Sequence, residues 1–129
     1  MKASKGFSLL EMLVAFSLLA ITLPVLLKIF SSGVNTAFIA EEYTAAVQIA
    51  TSRMAVSGVE EAWLVGESTG IENEKYHWRT TIRLINHPIH TADDTRLEFL
   101  QVDVTVSWDD ATKQARSFEL NTLVAKHKE

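Results

Sequence analysis

An almost uninterrupted apolar run near the amino terminus constrains the fold of this 129-residue chain more than any other feature of its sequence. The 21 residues from Phe7 to Leu27 carry one charged side chain, that of Glu11. An α-helix of that length, at about 1.5 Å per residue, spans the roughly 30 Å hydrocarbon core of a bilayer. The run therefore predicts a transmembrane helix over residues 7–30, with room for at most one further compact domain.

The charges around this run predict its orientation. Lys2 and Lys5 precede it without an acidic residue, so the positive-inside tendency keeps the amino-terminal end cytoplasmic and exports the rest of the chain. Lys28 on the far side weakens this tendency without reversing it. Residues 18–24 offer only a poor small-x-small cleavage site, so removal of the whole run as a secretory signal is not expected.

The composition excludes several functional classes. Twelve Lys and Arg residues stand against sixteen Asp and Glu residues, and the resulting net charge of −4 argues against a nucleic-acid partner. The chain has no Cys, which excludes disulfides, thiolate zinc sites and thiol nucleophiles. It also lacks a glycine-rich phosphate loop and a serine elbow motif. We predict neither an enzyme nor a bound cofactor.

Glu11 requires a physical explanation, because an ionised carboxylate inside hydrocarbon is costly unless it finds a partner. One explanation is a capping box, since Ser8 and Glu11 have the S-x-x-E spacing in which each side chain satisfies a backbone N–H of the first helical turn. The other is that Glu11 neutralises an amino group of a neighbouring subunit when the helix is buried in an assembly. The sequence leaves both explanations open.

Residues 5–16, Lys-Gly-Phe-Ser-Leu-Leu-Glu-Met-Leu-Val-Ala-Phe, resemble the prepilin signal shared by type IV pilins and type II secretion pseudopilins. In that family a membrane-embedded prepilin peptidase cuts between the Gly and the Phe on the cytoplasmic side and methylates the new amino terminus. The resemblance implies a leader peptide over residues 1–6, a cut between Gly6 and Phe7, and an N-methylated Phe7. It also implies a role in assembly and charge pairing for Glu11, the fifth mature residue.

Helical periodicity continues beyond the apolar run and predicts one long amphipathic helix that ends near residues 65–66. Its apolar stripe has two interpretations: it packs on the domain's own sheet, or it contacts a partner helix. Pilins often kink this helix at a proline nearer its middle, whereas Pro24 lies nearer its start, at mature position 18, and it predicts a local break over residues 22–24. The stripe is formed by Val34, Phe38, Ala45 and Ile49.

The pattern then changes to the alternation that is typical of half-buried strands. We predict strands over residues 76–84, 100–108 and 118–124, with a hairpin loop at 109–114 before the last one. We predict solvated loops over residues 67–75 and 86–94, and a bulge near Phe99, where the alternation changes phase. The expected fold is α+β and pilin-like, with a long amino-terminal helix packed on a small antiparallel sheet at about 76–125.

The downstream sequence is most similar to that of minor pseudopilin I of the type II secretion system. The similarity rests on Tyr76-x-Trp78-Arg79, the run at 102–108 and the closing Leu-Asn-Thr-Leu at 120–123. It implies a periplasmic domain over residues 31–129 and a subunit of a short filament anchored in the bacterial inner membrane. It also implies a place in the tip complex that starts filament assembly for protein export across the outer membrane.

The partners implied by this resemblance are the other minor pseudopilins of the J, K and H types and the major pseudopilin, together with prepilin peptidase and the inner-membrane assembly platform. Two alternatives stay open at this stage. The chain is a minor pilin of a type IV pilus, or it is a signal-anchored periplasmic module that does not polymerise.

The tryptophans and the acidic pairs supply the remaining candidate sites. Trp63, near the predicted helix end, is expected to contact a partner, whereas Trp78 and Trp108 are expected in the core. His87 and His90 lack suitably spaced acidic neighbours and are expected in a solvated loop rather than a metal site. The sequence also has four pairs of adjacent acidic residues, which we predict to lie on the solvated surface: residues 41–42, 60–61, 93–94 and 109–110. The last pair falls short of the six to eight oxygen ligands of a calcium site.

Overall fold

The computed structural model describes residues 6–59, 63–90 and 96–127. One long helix precedes four strands that form a single sheet in the order β1-β2-β3-β4, with every neighbouring pair antiparallel. This confirms the predicted α+β fold. The chain divides into two compact units, a first unit that ends at Ile39 and a second unit that begins at Ala40. The elements are α1 (Leu9–Val59), β1 (Gly66–Glu72), β2 (Tyr76–His90), β3 (Arg96–Asp109) and β4 (Ala115–His127).

The first unit is the amino-terminal part of α1, and it is apolar on every side. Its large hydrophobic side chains are exposed around the whole helix, from Leu9 at 81% to Phe30 at 72%. Within the described residues, α1 is long and apolar enough to cross a membrane. A helix that is hydrophobic all round is stable only where lipid or protein surrounds it.

The predicted break at residues 22–24 is wrong, because α1 continues through Pro24 without interruption. A proline inside a helix removes one backbone donor, and nearby hydroxyl side chains can adjust the hydrogen bonding around it. Here Pro24 leaves the Ala20 carbonyl without its helical N–H, and the Thr22 hydroxyl donates to the preceding carbonyl, that of Leu19, at 3.4 Å. The helix also continues through Gly33.

The core of the second unit lies between one face of α1 and one face of the sheet. Ala46, Ile49 and Ala50 share that helix face, and both alanines are fully buried. The sheet supplies the other buried apolar residues of the core: Tyr76, Ile82, Leu100, Val102, Val104, Val106 and Trp108. The interpretation that the apolar stripe packs on the domain's own sheet therefore holds for Ile49, whereas Val34 and Phe38 lie in the first unit and are exposed.

β3 is an interior strand of the sheet, since it pairs with β2 on one side and β4 on the other. Its alternate residues from Leu100 to Trp108 are buried, as the sequence predicted. Trp108 packs edge-on against Tyr43 of α1, with ring centroids 4.9 Å apart, which confirms its place in the core. Trp78 is half-buried and packs against the same cluster.

β1 occupies residues that we predicted as a solvated loop, so that prediction is wrong. Its sequence, Gly-Glu-Ser-Thr-Gly-Ile-Glu, lacks apolar alternation, and the space above Gly70 is filled by a neighbouring side chain. A Cβ atom at Gly70 would lie 2.4 Å from Cζ2 of Trp78, its partner on β2. The tryptophan thus supplies the apolar cover that this edge strand does not supply itself.

The helix end and the second predicted loop also require correction. α1 ends at Val59 and residues 63–64 are not helical, so the predicted helix end at residues 65–66 is wrong. A Cβ atom at Gly58 would lie 2.4 Å from Cζ2 of Trp63, so the Trp63 ring covers the last helical turn. β2 extends to His90, through part of the predicted loop 86–94, and residues 91–94 lie outside the described range. The strand absorbs Pro88 in a register shift between Ile85 and Ile89. A bulge leaves residues unpaired, which suits a residue without an N–H donor.

That register shift lies opposite residues 97–99 of β3, where the alternation predicted a bulge, but the extra residues belong to β2. It places the backbone of His87 and His90 in a strand instead of the expected loop.

At the other end of β2, a tight turn joins it to β1. Asn73 and Glu74 have φ angles of 52° and 57°, and the Lys75 N–H donates to the Glu72 carbonyl, as in a type I′ turn.

Candidate functional site

The start of α1 is built as a reciprocal capping box. The Glu11 N–H donates to Ser8 Oγ at 3.2 Å, and the Ser8 N–H donates to Glu11 Oε2 at 3.1 Å. The Ser8 carbonyl accepts the first helical hydrogen bond, from the Met12 N–H at 3.2 Å. Ser8 is thus the N-cap residue and Glu11 the third helical residue, the arrangement that satisfies two otherwise unpaired N–H groups.

The Glu11 carboxylate has no cationic partner among the described residues of the first unit. The other charged side chain there is that of Lys28, which stands 17 residues further along, or about 25 Å along the helix axis. One carboxylate oxygen, Oε2, is held by the cap, and no donor from the described residues reaches Oε1. The site therefore presents an anion at the positive end of a helix, with one oxygen open.

Gly6 and Phe7 precede the helix. Both are exposed and neither has helical backbone, and a Cβ atom at Gly6 would meet nothing within 4 Å. The peptide bond between them is therefore open to solvent and free of helical hydrogen bonding. The leader residues before Gly6 lie outside the described residues.

The second unit holds polar clusters that link its own elements. Glu42 of α1 forms an ion pair with Lys75 in the β1–β2 turn, and this hydrogen bond raises the pKa of Lys75. Arg53 of α1 pairs with Glu72 of β1 at 2.9 Å, and its guanidinium carbon lies 4.1 Å from the centroid of the Trp78 ring. These contacts fasten α1 to the β1 edge, so Glu42 is not the solvated residue that we predicted.

Asp110 is buried in the β3–β4 hairpin, which corrects the prediction of a solvated residue there. It is 5% exposed, whereas its neighbour Asp109 is exposed. Its Oδ1 accepts hydrogen bonds from the Thr112 N–H, the Thr112 hydroxyl and the Gln114 N–H, and its Oδ2 accepts one from Arg116 Nε at 2.9 Å. The Thr112 hydroxyl and the Gln114 amide hold the pKa of Asp110 well below its usual range, with help from Arg116.

These contacts give the hairpin a structural role. Asp110 accepts all four of these hydrogen bonds from residues of the same hairpin, so they hold both of its carboxylate oxygens in place. Across residues 6–59, 63–90 and 96–127, no group of three or more His, Asp or Glu side chains is placed to hold a metal ion. The acidic pairs at 60–61 and 93–94 lie outside the described residues.

Trp63 is half-buried against its own chain. Its ring lies over Gly58, and it packs against the core cluster. The two residues that follow it, Leu64 and Val65, are 69% and 63% exposed. The predicted contact of Trp63 with a partner stays a prediction.

The fold and the amino-terminal site define a class of protein, the pilin-like proteins that carry a prepilin signal. Residues 1–23 match the prokaryotic N-terminal methylation motif. The chain is also 31% identical over 134 residues to type II secretion system protein I of Xanthomonas campestris pv. campestris, a match that covers 98% of this chain and 97% of the relative. The chain belongs to the family of type II secretion system protein I, the pseudopilins I, which are structural proteins and not enzymes.

No solved structure matches the chain. The sequence pointed to the amino-terminal site but missed Asp110 as a buried residue. An Asp followed two residues later by Thr is a local sign of a turn closed by side-chain hydrogen bonds, and it was available in the sequence. The pairing of Glu42 with Lys75 had no such sign, because it joins residues far apart in the chain.

Proposed function

We propose that this chain is a minor subunit of the pseudopilus of a type II secretion system, and that it acts in the tip complex that starts pseudopilus assembly. The observation that carries the proposal is the first unit itself: a helix apolar on every side, with one carboxylate at its start. Such a surface suits a subunit that exchanges a lipid environment for contact with neighbouring helices. The near full-length similarity to a type II secretion protein favours this system over a type IV pilus.

The proposal assigns residues 1–6 to a leader peptide, 7–30 to the transmembrane helix and 31–129 to a periplasmic domain. The anchoring membrane is the bacterial inner membrane, which the chain crosses once. Support comes from the Lys2 and Lys5 charges before the apolar run and from the length of that run. The partners are the other minor pseudopilins, the major pseudopilin and the inner-membrane assembly platform.

Processing by prepilin peptidase precedes assembly in this account. The cut falls between Gly6 and Phe7, and Phe7 then carries the N-methyl group. The methylation motif over residues 1–23 supports this assignment, and so does the exposed, non-helical backbone of both residues. A peptidase binds its substrate in an extended form, so a bond outside the helical hydrogen-bond ladder is suited to cleavage.

Glu11 then pairs with the methylated amino group of a neighbouring subunit. A carboxylate in hydrocarbon costs several kcal/mol unless a cation or hydrogen-bond donors compensate it. Since Lys28 is about 25 Å away along the helix, a close cation must come from a chain terminus or from another subunit. Pairing removes two unpaired charges from a dry interface at once, which favours subunits that are in register.

Replacement of Glu11 tests this pairing in cells that contain the whole secretion system. Glu11→Ala and Glu11→Gln should insert into the membrane at the wild-type level, but they should recover much less of the other pseudopilins when the chain is purified from detergent-solubilised membranes. A Glu41→Gln variant is the matched control, because Glu41 is an exposed acidic residue further along the same helix. Wild-type recovery with both Glu11 variants would show that the carboxylate serves only the cap.

A further inference from the structure

We propose that a cleft in the second unit binds one tyrosine or tryptophan side chain of another pseudopilin in the assembly. The cleft has a volume of about 330 Å³ and lies between the last turn of α1, the start of β1 and β2. It belongs to the periplasmic part of the chain and is separate from the amino-terminal site. The inference rests on the proposed function, because it requires that this chain assembles with other subunits.

The cleft continues a face of β1 that another side chain covers further along. Gly70, Ser68 and Gly66 lie on one face of β1, because residues two apart in a strand point the same way. The Trp78 ring fills the space above Gly70, where an added Cβ atom would lie 2.4 Å from Cζ2. At Gly66 an added Cβ atom would meet nothing within 4 Å. The described part of the chain thus covers one end of this face with an aromatic ring and leaves the other end open.

The lining of the cleft combines apolar side chains with buried hydroxyl groups. Ile82 is buried, whereas Leu64 and Val65 are 69% and 63% exposed. Ser57 and Thr80 are 8% and 3% exposed, and each contributes a hydroxyl. The Thr80 hydroxyl has no hydrogen-bond partner among the described residues. A group that suits this cleft is therefore apolar over most of its surface and carries a polar atom that reaches the hydroxyls.

The hydroxyl groups favour a partner that donates a hydrogen bond. The Ser57 hydroxyl already donates its hydrogen to the Arg53 carbonyl oxygen at 2.8 Å, so it can only accept a further hydrogen bond. The Thr80 hydroxyl is buried, and one staggered step about χ1 exchanges its position with that of the methyl group, so it can turn toward a bound donor. Tyrosine O–H and tryptophan N–H join such a donor to a large apolar ring, and both side chains are enriched at the centres of protein interfaces.

A cationic side chain suits the cleft less well than an aromatic one. The acidic residue in the lining, Glu67, already pairs with Arg79 at 3.2 Å. A lysine or arginine inserted there would bury its charge without a free carboxylate to compensate it, which is costly.

The chain itself does not offer the ring that the cleft requires, so the ring comes from a different protein. The structure describes every Phe, Tyr and Trp residue of the sequence. Both tyrosines and all three tryptophans are buried or half-buried against the core of their own unit. The exposed aromatic side chains all belong to the first unit and are phenylalanines, which have no donor: Phe7, Phe16, Phe30 and Phe38.

The exposed residues beside the cleft favour a protein over a small molecule. Leu64 and Val65 are neighbours in the chain, and both expose most of their apolar side chains. A small molecule in the cleft would leave them in water, whereas the protein surface around an inserted ring would cover them.

Two isosteric or shortened variants of the full chain test the hydroxyl groups in cells with the whole secretion system. Ser57→Ala removes the acceptor, and its control is Thr51→Ala, because the Thr51 hydroxyl donates to the Val47 carbonyl oxygen at 2.8 Å on an exposed side of the same helix. Thr80→Val removes the other hydroxyl and keeps the shape of the side chain. Its control is Thr81→Val, on the opposite face of β2.

A third variant fills the cleft from within. Ser68→Phe places a ring over this end of the β1 face, as Trp78 does above Gly70. Thr69→Phe is its control, because Thr69 is an exposed residue on the opposite face of the same strand. The readouts for all variants are the amount of other pseudopilins co-purified per processed chain and the thermal midpoint of the second unit.

Ser57→Ala and Thr80→Val should each lower the recovery of other pseudopilins about fivefold, the factor that corresponds to one neutral hydrogen bond. Ser68→Phe should lower it more than tenfold, because it blocks the whole ring. The thermal midpoints should not fall, since neither hydroxyl bonds to another element of the unit. The controls should equal the wild type in both readouts. Wild-type recovery with all three variants would overturn the inference, and so would midpoints that fall together with recovery.

A photo-cross-linker identifies the protein that occupies the cleft. Leu64→p-benzoyl-phenylalanine, beside the cleft, should cross-link in the whole system to a peptide of another pseudopilin that contains a tyrosine or tryptophan. Ile71→p-benzoyl-phenylalanine is the control and should not yield that peptide, because Ile71 is 61% exposed on the opposite face of β1. A cross-link from position 64 to a second copy of this chain, or none to another pseudopilin, would overturn the inference.

The outcomes also separate this inference from the proposed function. If the wild-type chain recovers the other pseudopilins and the cleft variants recover them equally, the proposed function stands and the role of the cleft falls. If the wild-type chain recovers no other pseudopilin, the proposed function falls, and the role of the cleft falls with it.

Discussion

Substitution of Gly70 by alanine should destabilise the second unit by about 2 kcal/mol, through its contact with Trp78. A Cβ atom at this position would lie 2.4 Å from Cζ2, 2.6 Å from Cε2 and 2.8 Å from Nε1 of the Trp78 ring. The ring is also held by the Arg53 guanidinium, which lies 4.1 Å from its centroid and pairs with Glu72. The new methyl group therefore displaces either the ring or the strand.

Three terms give the magnitude of this effect. Forcing an extra methyl into a packed site costs about 1–3 kcal/mol. Loss of the cation–π contact with Arg53 adds about 0.5–1 kcal/mol. Replacing a glycine in a strand interior returns a similar amount, about 0.5–1 kcal/mol. The net loss of about 2 kcal/mol should lower the melting temperature of a unit of this size by roughly 10 °C.

The assay is thermal unfolding of the full chain in detergent, followed by near-ultraviolet circular dichroism. All three tryptophans lie in the second unit, so the aromatic signal reports on that unit. Gly33→Ala is the control, because a Cβ atom at Gly33 meets nothing within 4 Å. In a Trp78→Val background, Gly70→Ala should cost nothing or stabilise slightly. An equal loss in both backgrounds would refute the packing argument.

Three further predictions concern the second unit. The folded pKa of Asp110 lies below its unfolded value, so its stabilising effect is complete above about pH 5 and is lost as the pH falls below about 4. Asp110→Asn should therefore be less stable near neutral pH and show a flatter acid dependence in urea titrations; an unchanged acid slope would contradict this. Glu74→Gly should raise the free energy of unfolding by about 1 kcal/mol, measured in urea, because Glu74 has a φ of 57°. Trp63→Ala should lower the recovery of partner pseudopilins from membranes while the unit still melts cooperatively; loss of the melting transition would assign Trp63 to the core alone.

The alternation of apolar and polar residues predicted those strands in which the polarity of each residue determines whether its side chain is buried. Residues 100–108 alternate between apolar and polar side chains, and β3 has both of its neighbours in the sheet, so its inner face is buried as the pattern requires. The same reasoning failed for β1, because its pattern depends on a residue elsewhere. The Trp78 ring covers Gly70. A glycine counts as neither apolar nor polar in the alternation, so the sequence of β1 does not show that a side chain of another strand covers it.

Local rules failed where tertiary structure overrode them. Pro88 predicted a loop, yet β2 continues past it. Residues in the bulge between Ile85 and Ile89 are unpaired, so the missing N–H of Pro88 costs the sheet no hydrogen bond. Asp110 was predicted on the surface because adjacent acids diverge along a strand, but the hairpin turns its carboxylate onto Thr112 and Arg116.

The amino-terminal site was more predictable than the fold, for a physical reason. A capping box is a local motif, fixed by the spacing of Ser8 and Glu11, and both of its hydrogen bonds are present in the structure. The pairing of Glu11 with a neighbour depends on other chains, so neither the sequence nor the geometry of one subunit determines it.

The intact mass of the protein, purified from the native membrane, shows whether the leader is removed and the new amino terminus methylated. We expect one species that begins at Phe7 and carries one additional methyl group, and we expect a Gly6→Val variant to keep the full-length, unmethylated mass. A wild-type chain that retains residues 1–6 without a methyl group would contradict the claim that this protein is a processed pseudopilin subunit.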